Sequence, residues 1–180
     1  MIFVRLKLLL ILTICLISIH CQAQSSIDFS QVGLMKSDFN HKAVLYLGNS
    51  QKTALTILGL PTGKSILYSE MMNVNYDVWA YGANKLYFLN GELVEFELNT
   101  SDFAIGKNFA YPIKVGQPLL GIYNIGSYTV ENGPGTYRDM PYGSIAYCSI
   151  KNGTKFTDYA IEILANSSGN IFNIKLLRTN

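Results

Sequence analysis

The sequence predicts an α+β fold made of two tandem helix-plus-four-strand repeats that share one antiparallel sheet. Three observations predict it. The 180-residue chain is 49% hydrophobic, 12% aromatic and only 14% charged, so it can bury a core and is neither disordered nor a coiled coil. Self-similarity at an offset of about 68 residues aligns Leu47-Gly48-Asn49-Ser50 with Val115-Gly116-Gln117-Pro118. Behind each of these junctions come short runs rich in β-branched and aromatic residues, punctuated by Asn90-Gly91, Asn152-Gly153 and Ser168-Gly169.

Residues 1–23 read as a secretory signal. Arg5 and Lys7 give a positive start, and the apolar run Leu8 to Ile19 falls short of the ~20 residues that a membrane span needs. Cysteine and alanine at positions 21 and 23 offer the small residues that favour cleavage after Ala23. The alternative makes Cys21 the lipidated first residue of a surface lipoprotein. After cleavage the 14 basic residues lose Arg5 and Lys7, and the 12 left match 12 acidic ones. A neutral chain lacks the basic face that nucleic acid demands.

Residues 24–41 carry no firm pattern and read as an irregular N-terminal segment, with Ala43 to Leu47 as an additional extended stretch. The first repeat covers 42–100. Ser50 caps a helix over Gln51 to Leu58 whose stripe is Ala54, Leu55 and Leu58, and Gly59-Leu60-Pro61 stops it. Strands follow at Lys64 to Ser69, Asn75 to Tyr81, Lys85 to Leu89 and Glu92 to Leu98. Asn90-Gly91 closes the last pair, since a type I′ turn needs positive φ at both central residues.

Residues 101–180 hold the linker and the second repeat. The connection from Asn99 to Ala110, extended at Phe103 to Ile105, is short enough to imply one continuous sheet. Pro118 opens a second helix over Leu119 to Ile125, and strands are expected at Tyr128 to Glu131, Ser144 to Ile150, Phe156 to Leu164 and Asn170 to Leu177. Between the first two of these strands, Asn132 to Gly143 reads as a long irregular loop, a place where function often sits.

The string Leu47-Gly48, short helix, Leu58-Gly59-Leu60-Pro61, Trp79-Ala80-Tyr81-Gly82, Leu86-Tyr87-Phe88 and Asn90-Gly91-Glu92-Leu93 is similar to the helix-plus-four-strand repeat of the β-lactamase inhibitor protein. It also resembles the small envelope lipoproteins of outer-membrane assembly. The resemblance implies helices packed on one face of a curved antiparallel sheet, with the opposite face free to hold a protein partner. It departs in lacking the inhibitor's disulfides, because Cys148 alone remains after the signal.

Pairing across Asn90-Gly91 places Tyr87, Leu89, Val94, Phe96 and Leu98 on one side of the sheet and Leu86, Phe88, Leu93, Glu95 and Glu97 on the other. With Tyr81 opposite Lys85, the predicted binding face is Asp77, Trp79, Tyr81 and Tyr87, because Trp and Tyr dominate protein-binding hot spots. Val78, Ala80, Leu86, Phe88 and Leu93 would then lie beneath the helix. A slip of one residue would exchange these sets.

Catalytic and metal chemistry find little support. His41 and Cys148 are widely separated, Cys148 shares a strand face with Ala146 and Ile150, and neither metal-ligand spacing nor a phosphate-binding glycine loop occurs. Carboxylate pairs, Glu95 with Glu97 or Glu131 with Asp139, carry the alternative of a hydrolase. The sequence thus predicts a secreted or periplasmic noncatalytic module, with no cofactor, that binds another envelope or extracellular protein.

Overall fold

The computed structural model describes residues 26–28, 32–38, 43–106, 112–120 and 129–179. The predicted signal, His41 and positions 121–125 of the second helix lie outside the described residues. In chain order the elements are β1 (Ser26–Asp28), β2 (Gly33–Lys36), β3 (Leu45–Tyr46), α1 (Gln51–Leu58), β4 (Gly63–Ser69), β5 (Val74–Tyr81), β6 (Asn84–Leu89) and β7 (Glu92–Leu98). They continue as β8 (Phe103–Gly106), β9 (Ile113–Lys114), β10 (Thr129–Tyr137), β11 (Met140–Asn152), β12 (Lys155–Ala165) and β13 (Ile171–Arg178).

Nine strands form one sheet in the order β1-β11-β12-β13-β7-β6-β5-β4, with β10 paired to β11 beside β1. Since β1 runs parallel to β11 and the other pairings are antiparallel, the sheet is mixed. The strands β3-β2-β8-β9 form a second sheet.

This architecture overturns the predicted class of two helix-plus-four-strand repeats. Strands make up 65% of the described residues and helix 7%, with one helix among them. The layer that covers the large sheet is mainly the second sheet. Its strands β3 and β8 fall on the stretches read as extended, Ala43 to Leu47 and Phe103 to Ile105, while β2 lies in the segment read as irregular and β9 after the linker: Leu34 of β2 pairs with Ile105 of β8, and they are 0% and 2% exposed. In β2 and β9, two to four residues are too few to show a period of two in the sequence, so tertiary pairing defines them.

The aligned junctions are nevertheless built alike. Gly48 and Gly116 donate their N–H groups to Leu93 and Ile171 at 2.8 Å, and Gln51 and Leu119 donate to Gly91 and Gly169 at 3.0 and 2.8 Å. Each junction thereby clips the second sheet to the last hairpin of a meander. Helix α1 begins as predicted, with the Ser50 hydroxyl accepting from Thr53 N at 3.2 Å, and ends at Gly59 with φ 85°. Ala54 and Leu58 are its buried residues.

The core lies between the two sheets. Trp79 packs on Phe88 with ring centroids 4.9 Å apart, and Tyr81 meets Phe103 of β8 edge-on at 5.6 Å. The Tyr81 hydroxyl donates to Gly59 O at 3.0 Å, which ties β5 to the end of α1.

Two register details decide which side chains enter this core. Gly82 at φ 63° lets Gly82-Ala83 form a two-residue turn, so Tyr81 pairs with Asn84 rather than Lys85. A β-bulge then leaves Val94 unpaired, because Tyr87 pairs with Glu95 but Phe88 pairs with Leu93. The slip brings Trp79 and Tyr81 onto the face of Leu86, Phe88 and Phe96, and the bulge turns Glu95 and Glu97 to the opposite face beside Tyr87.

Candidate functional site

The four residues expected to form one binding face are divided by these registers. Trp79 and Tyr81 are 3% and 8% exposed and belong to the core. Asp77 is exposed on the same face of β5 and accepts from Gln51 Nε2 of α1 at 2.9 Å. Tyr87 alone of the four lies on the uncovered face of the large sheet. There it meets Tyr76 edge-on, with centroids 6.4 Å apart.

A row of charge crosses that uncovered face. Tyr147, Glu162, Lys175, Glu97 and Lys85 face one another in turn on β11, β12, β13, β7 and β6. Opposite charges placed directly across a ladder attract, and Lys175 Nζ lies 3.1 Å from Glu162 Oε1.

Over this row lies the tip of the β10–β11 hairpin. Read as an irregular loop in the sequence, Asn132 to Gly143 is instead two paired strands with a register shift between Asn132 and Gly135. The Tyr142 ring lies against Gly135, where a Cβ would come 2.1 Å from it, so a larger residue there would displace that ring. Arg138 and Asp139 form the turn with φ of 47° and 64°. An arginine at positive φ carries roughly 1–2 kcal/mol of backbone strain, and its contacts show what holds it.

Arg138 donates to both oxygens of Glu97, at 2.6 and 3.0 Å. The Tyr137 hydroxyl donates to the same carboxylate at 3.1 Å and Asn99 Nδ2 at 3.2 Å, while Lys175 Nζ sits 3.5 Å from the centre of the Tyr137 ring. Glu97 is 4% exposed. Burial pushes its pKa up, but the Asn99 hydrogen bond, the Arg138 charge and the Tyr137 hydroxyl outweigh it and hold the carboxyl below its ordinary value. Burial first, and the Glu97 charge second, push the Tyr137 and Tyr87 hydroxyls up to about 12.

Two adjoining depressions of about 260 Å³ each open beside this strap, and Tyr87 and Glu95 line both. One runs beneath Tyr137, Arg138 and Lys175. The other is bordered by Leu67, Met71, Met72, Tyr76 and Arg178. Together they make a groove with tyrosine walls and a carboxyl on its floor. Burial raises the pKa of Glu95, and Arg178 opposes that rise only in part.

The carboxylate pairs fit hydrolysis poorly. Glu97 Oε1 accepts from Arg138, Tyr137 and Asn99, and Oε2 accepts from Arg138 with the Tyr87 hydroxyl at 3.5 Å, so the carboxylate is engaged in holding the hairpin tip. The strand rise from Glu131 to Tyr137, just before the turn that carries Asp139, is roughly 20 Å at ~3.3 Å per residue, whereas an acid and base pair needs ~5–9.5 Å. Cys148 is 0% exposed between Ala146 and Ile150, and burial pushes its thiol up to about 12, so it is a core residue and no nucleophile. Among the described residues no three His, Cys, Asp or Glu side chains are grouped to hold a metal.

Sequence reasoning missed Tyr137, Arg138, Lys175 and Arg178. The loop it singled out does carry the first two, but their distance from Glu97 is about 40 positions in the chain. No local pattern announces such a contact.

No family model and no curated protein matches the sequence. Among solved structures, the chain is similar to an extracellular protein containing a SCP domain from Bacillus anthracis str. Ames, at 10% identity and a TM-score of 0.44. The match covers 73% of this chain and spans 44% of the length of that one.

Proposed function

We propose that this chain is a noncatalytic, extracytoplasmic protein-binding module, and that the groove on the uncovered sheet face, from Tyr76 through Tyr87 and Glu95 to Tyr137, receives a basic side chain of its partner. The observation that carries this reading is Glu95. It lines both depressions beside Tyr87, whose ring meets Tyr76 edge-on, and burial raises its pKa although the Arg178 backbone N–H and charge oppose that rise. A lysine or arginine inserted there would gain an ion pair and ring-face contacts together. Methionine and leucine at the rim add adaptable apolar contact.

The extracytoplasmic assignment rests on the charged start and the apolar run of residues 1–23. Cys21 remains the route by which the chain would be membrane-anchored.

The test is capture from envelope extract by the wild-type chain, by Tyr87→Ala and by Glu95→Gln, with Asp77→Ala as a control on the other face. A partner retained by wild type and control but lost by both groove variants supports the reading. A partner held equally by all four, or substrate turnover abolished by Glu95→Gln, defeats it.

A further inference from the structure

Strand β4 ends the nine-stranded sheet, so alternate N–H and C=O groups along it point away from β5. Residues Gly63 to Tyr68 are all exposed, and Ile66, Leu67 and Tyr68 are 72%, 49% and 54% exposed. The features that usually guard such an edge are nearly missing. The strand has seven residues and pairs with β5 with no register shift. Its one charge, Lys64, sits 4.1 Å over the Trp79 ring.

We propose that β4 is a homodimerisation edge, at which two copies of this chain pair antiparallel about a two-fold axis at Ile66. The strand is complementary to itself in that register. Ile66 faces the partner's Ile66, Ser65 faces the partner's Leu67, and Lys64 faces the partner's Tyr68. No like charges meet, and each lysine lies against a tyrosine. Because Ile66 pairs with Asp77 and Leu67 with Tyr76, apolar contacts form on both faces of the joined sheet. The pairing is isologous, so it closes at two copies and does not propagate into a fibre.

The edge shares Leu67 with the rim of the groove but uses neither Tyr87 nor Glu95, so either property can fail while the other stands. The full chain is studied by light scattering across micromolar concentrations, beside Ile66→Lys, which sets two like charges directly opposite each other. A dimer that weakens at least about tenfold in that variant is expected. Ile66→Cys is expected to give a disulfide-linked dimer on oxidation, and Tyr68→Cys none, since the two copies of position 68 stand roughly 13 Å apart in this register. Both cysteine variants are made on residues 24–180, after the predicted cleavage, so Cys15 and Cys21 are absent and buried Cys148 does not compete. A chain monomeric throughout the range, a dimer indifferent to Ile66→Lys, or cross-linking at position 68 as efficient as at 66 overturns the proposal.

Discussion

Replacing Arg138 by alanine tests the strap energetically. Truncating one partner of a buried ion pair costs ~3–5 kcal/mol, whereas a fully exposed pair is worth ~0.2–1 kcal/mol. The pair here is lopsided: the Arg138 side chain is 54% exposed and that of Glu97 5%. The exposed arginine needs a discount for solvent screening, and Glu97 keeps donors from Tyr137 and Asn99 at 3.1 and 3.2 Å. An intermediate loss of about 2 kcal/mol is therefore expected at pH 7, or about 4–8 °C in Tm. Arg138→Gly removes the same contacts but also the strain at φ 47°, so its loss should be smaller by about 1 kcal/mol.

The pH dependence adds an independent check. The folded-state pKa of Glu97 is depressed, so the pair stabilises the fold above the ordinary carboxylate range near ~4.3 and ceases to do so as pH falls through the depressed value. Without Arg138, two of the influences that lower the pKa are lost and the carboxyl protonates more readily in the folded chain. The deficit of the variant should thus shrink between pH 7 and pH 3. Urea unfolding followed through Trp79, the one tryptophan in the chain and 3% exposed, reads both quantities. A deficit below about 0.5 kcal/mol at pH 7, or one that does not change with pH, would refute the reasoning.

Other substitutions separate core from groove. Trp79→Ala should cost ~3–5 kcal/mol by emptying the space against Phe88, whereas Tyr87→Ala should cost less than about 2 kcal/mol and show its effect in partner capture. Glu95→Gln should stabilise the chain at pH 7 by less than about 1 kcal/mol. A carboxyl whose pKa is raised contributes stability below ~4.3 that is lost as pH rises through its folded value, so this gain should vanish below pH 4 in the same unfolding assay. The Cys148 thiol, held at about 12 and fully buried, should resist an aromatic disulfide reagent at pH 8 and react at once in denaturant. Reaction of the native chain at the rate of a free thiol would contradict its burial.

Local chemistry was legible in the sequence where it is complete within a few residues. Ser50 and Gly59 bound α1 as their capping chemistry requires, Asn90-Gly91 adopts φ of 53° and 81°, and the strands of the two meanders, β11 excepted, begin within a residue of where the aromatic and β-branched runs do. Face assignment failed because a period of two amplifies a single-residue error into a complete inversion. Gly82-Ala83 proved a two-residue turn, and Val94 an unpaired bulge residue. The presence of Glu95 and Glu97 on the side assigned to the core was the signal that the register was wrong, since two unpaired carboxylates do not bury among leucines.

The groove was illegible for a different reason. Glu97 is satisfied by Arg138, Tyr137 and Asn173, which come from the second half of the chain, and Lys175 joins the groove only because β13 pairs with β7. The Ile174–Leu98 and Leu176–Phe96 pairs that fix that seam are apolar and point to the core. Lys175 between them, paired with Glu97, is thereby forced onto the uncovered face. The same alternation that seals the interior therefore sets the charges of the groove. A change in the seam's register would cost both together, whereas substitutions at Arg138 or Tyr137 leave the apolar seam itself in place.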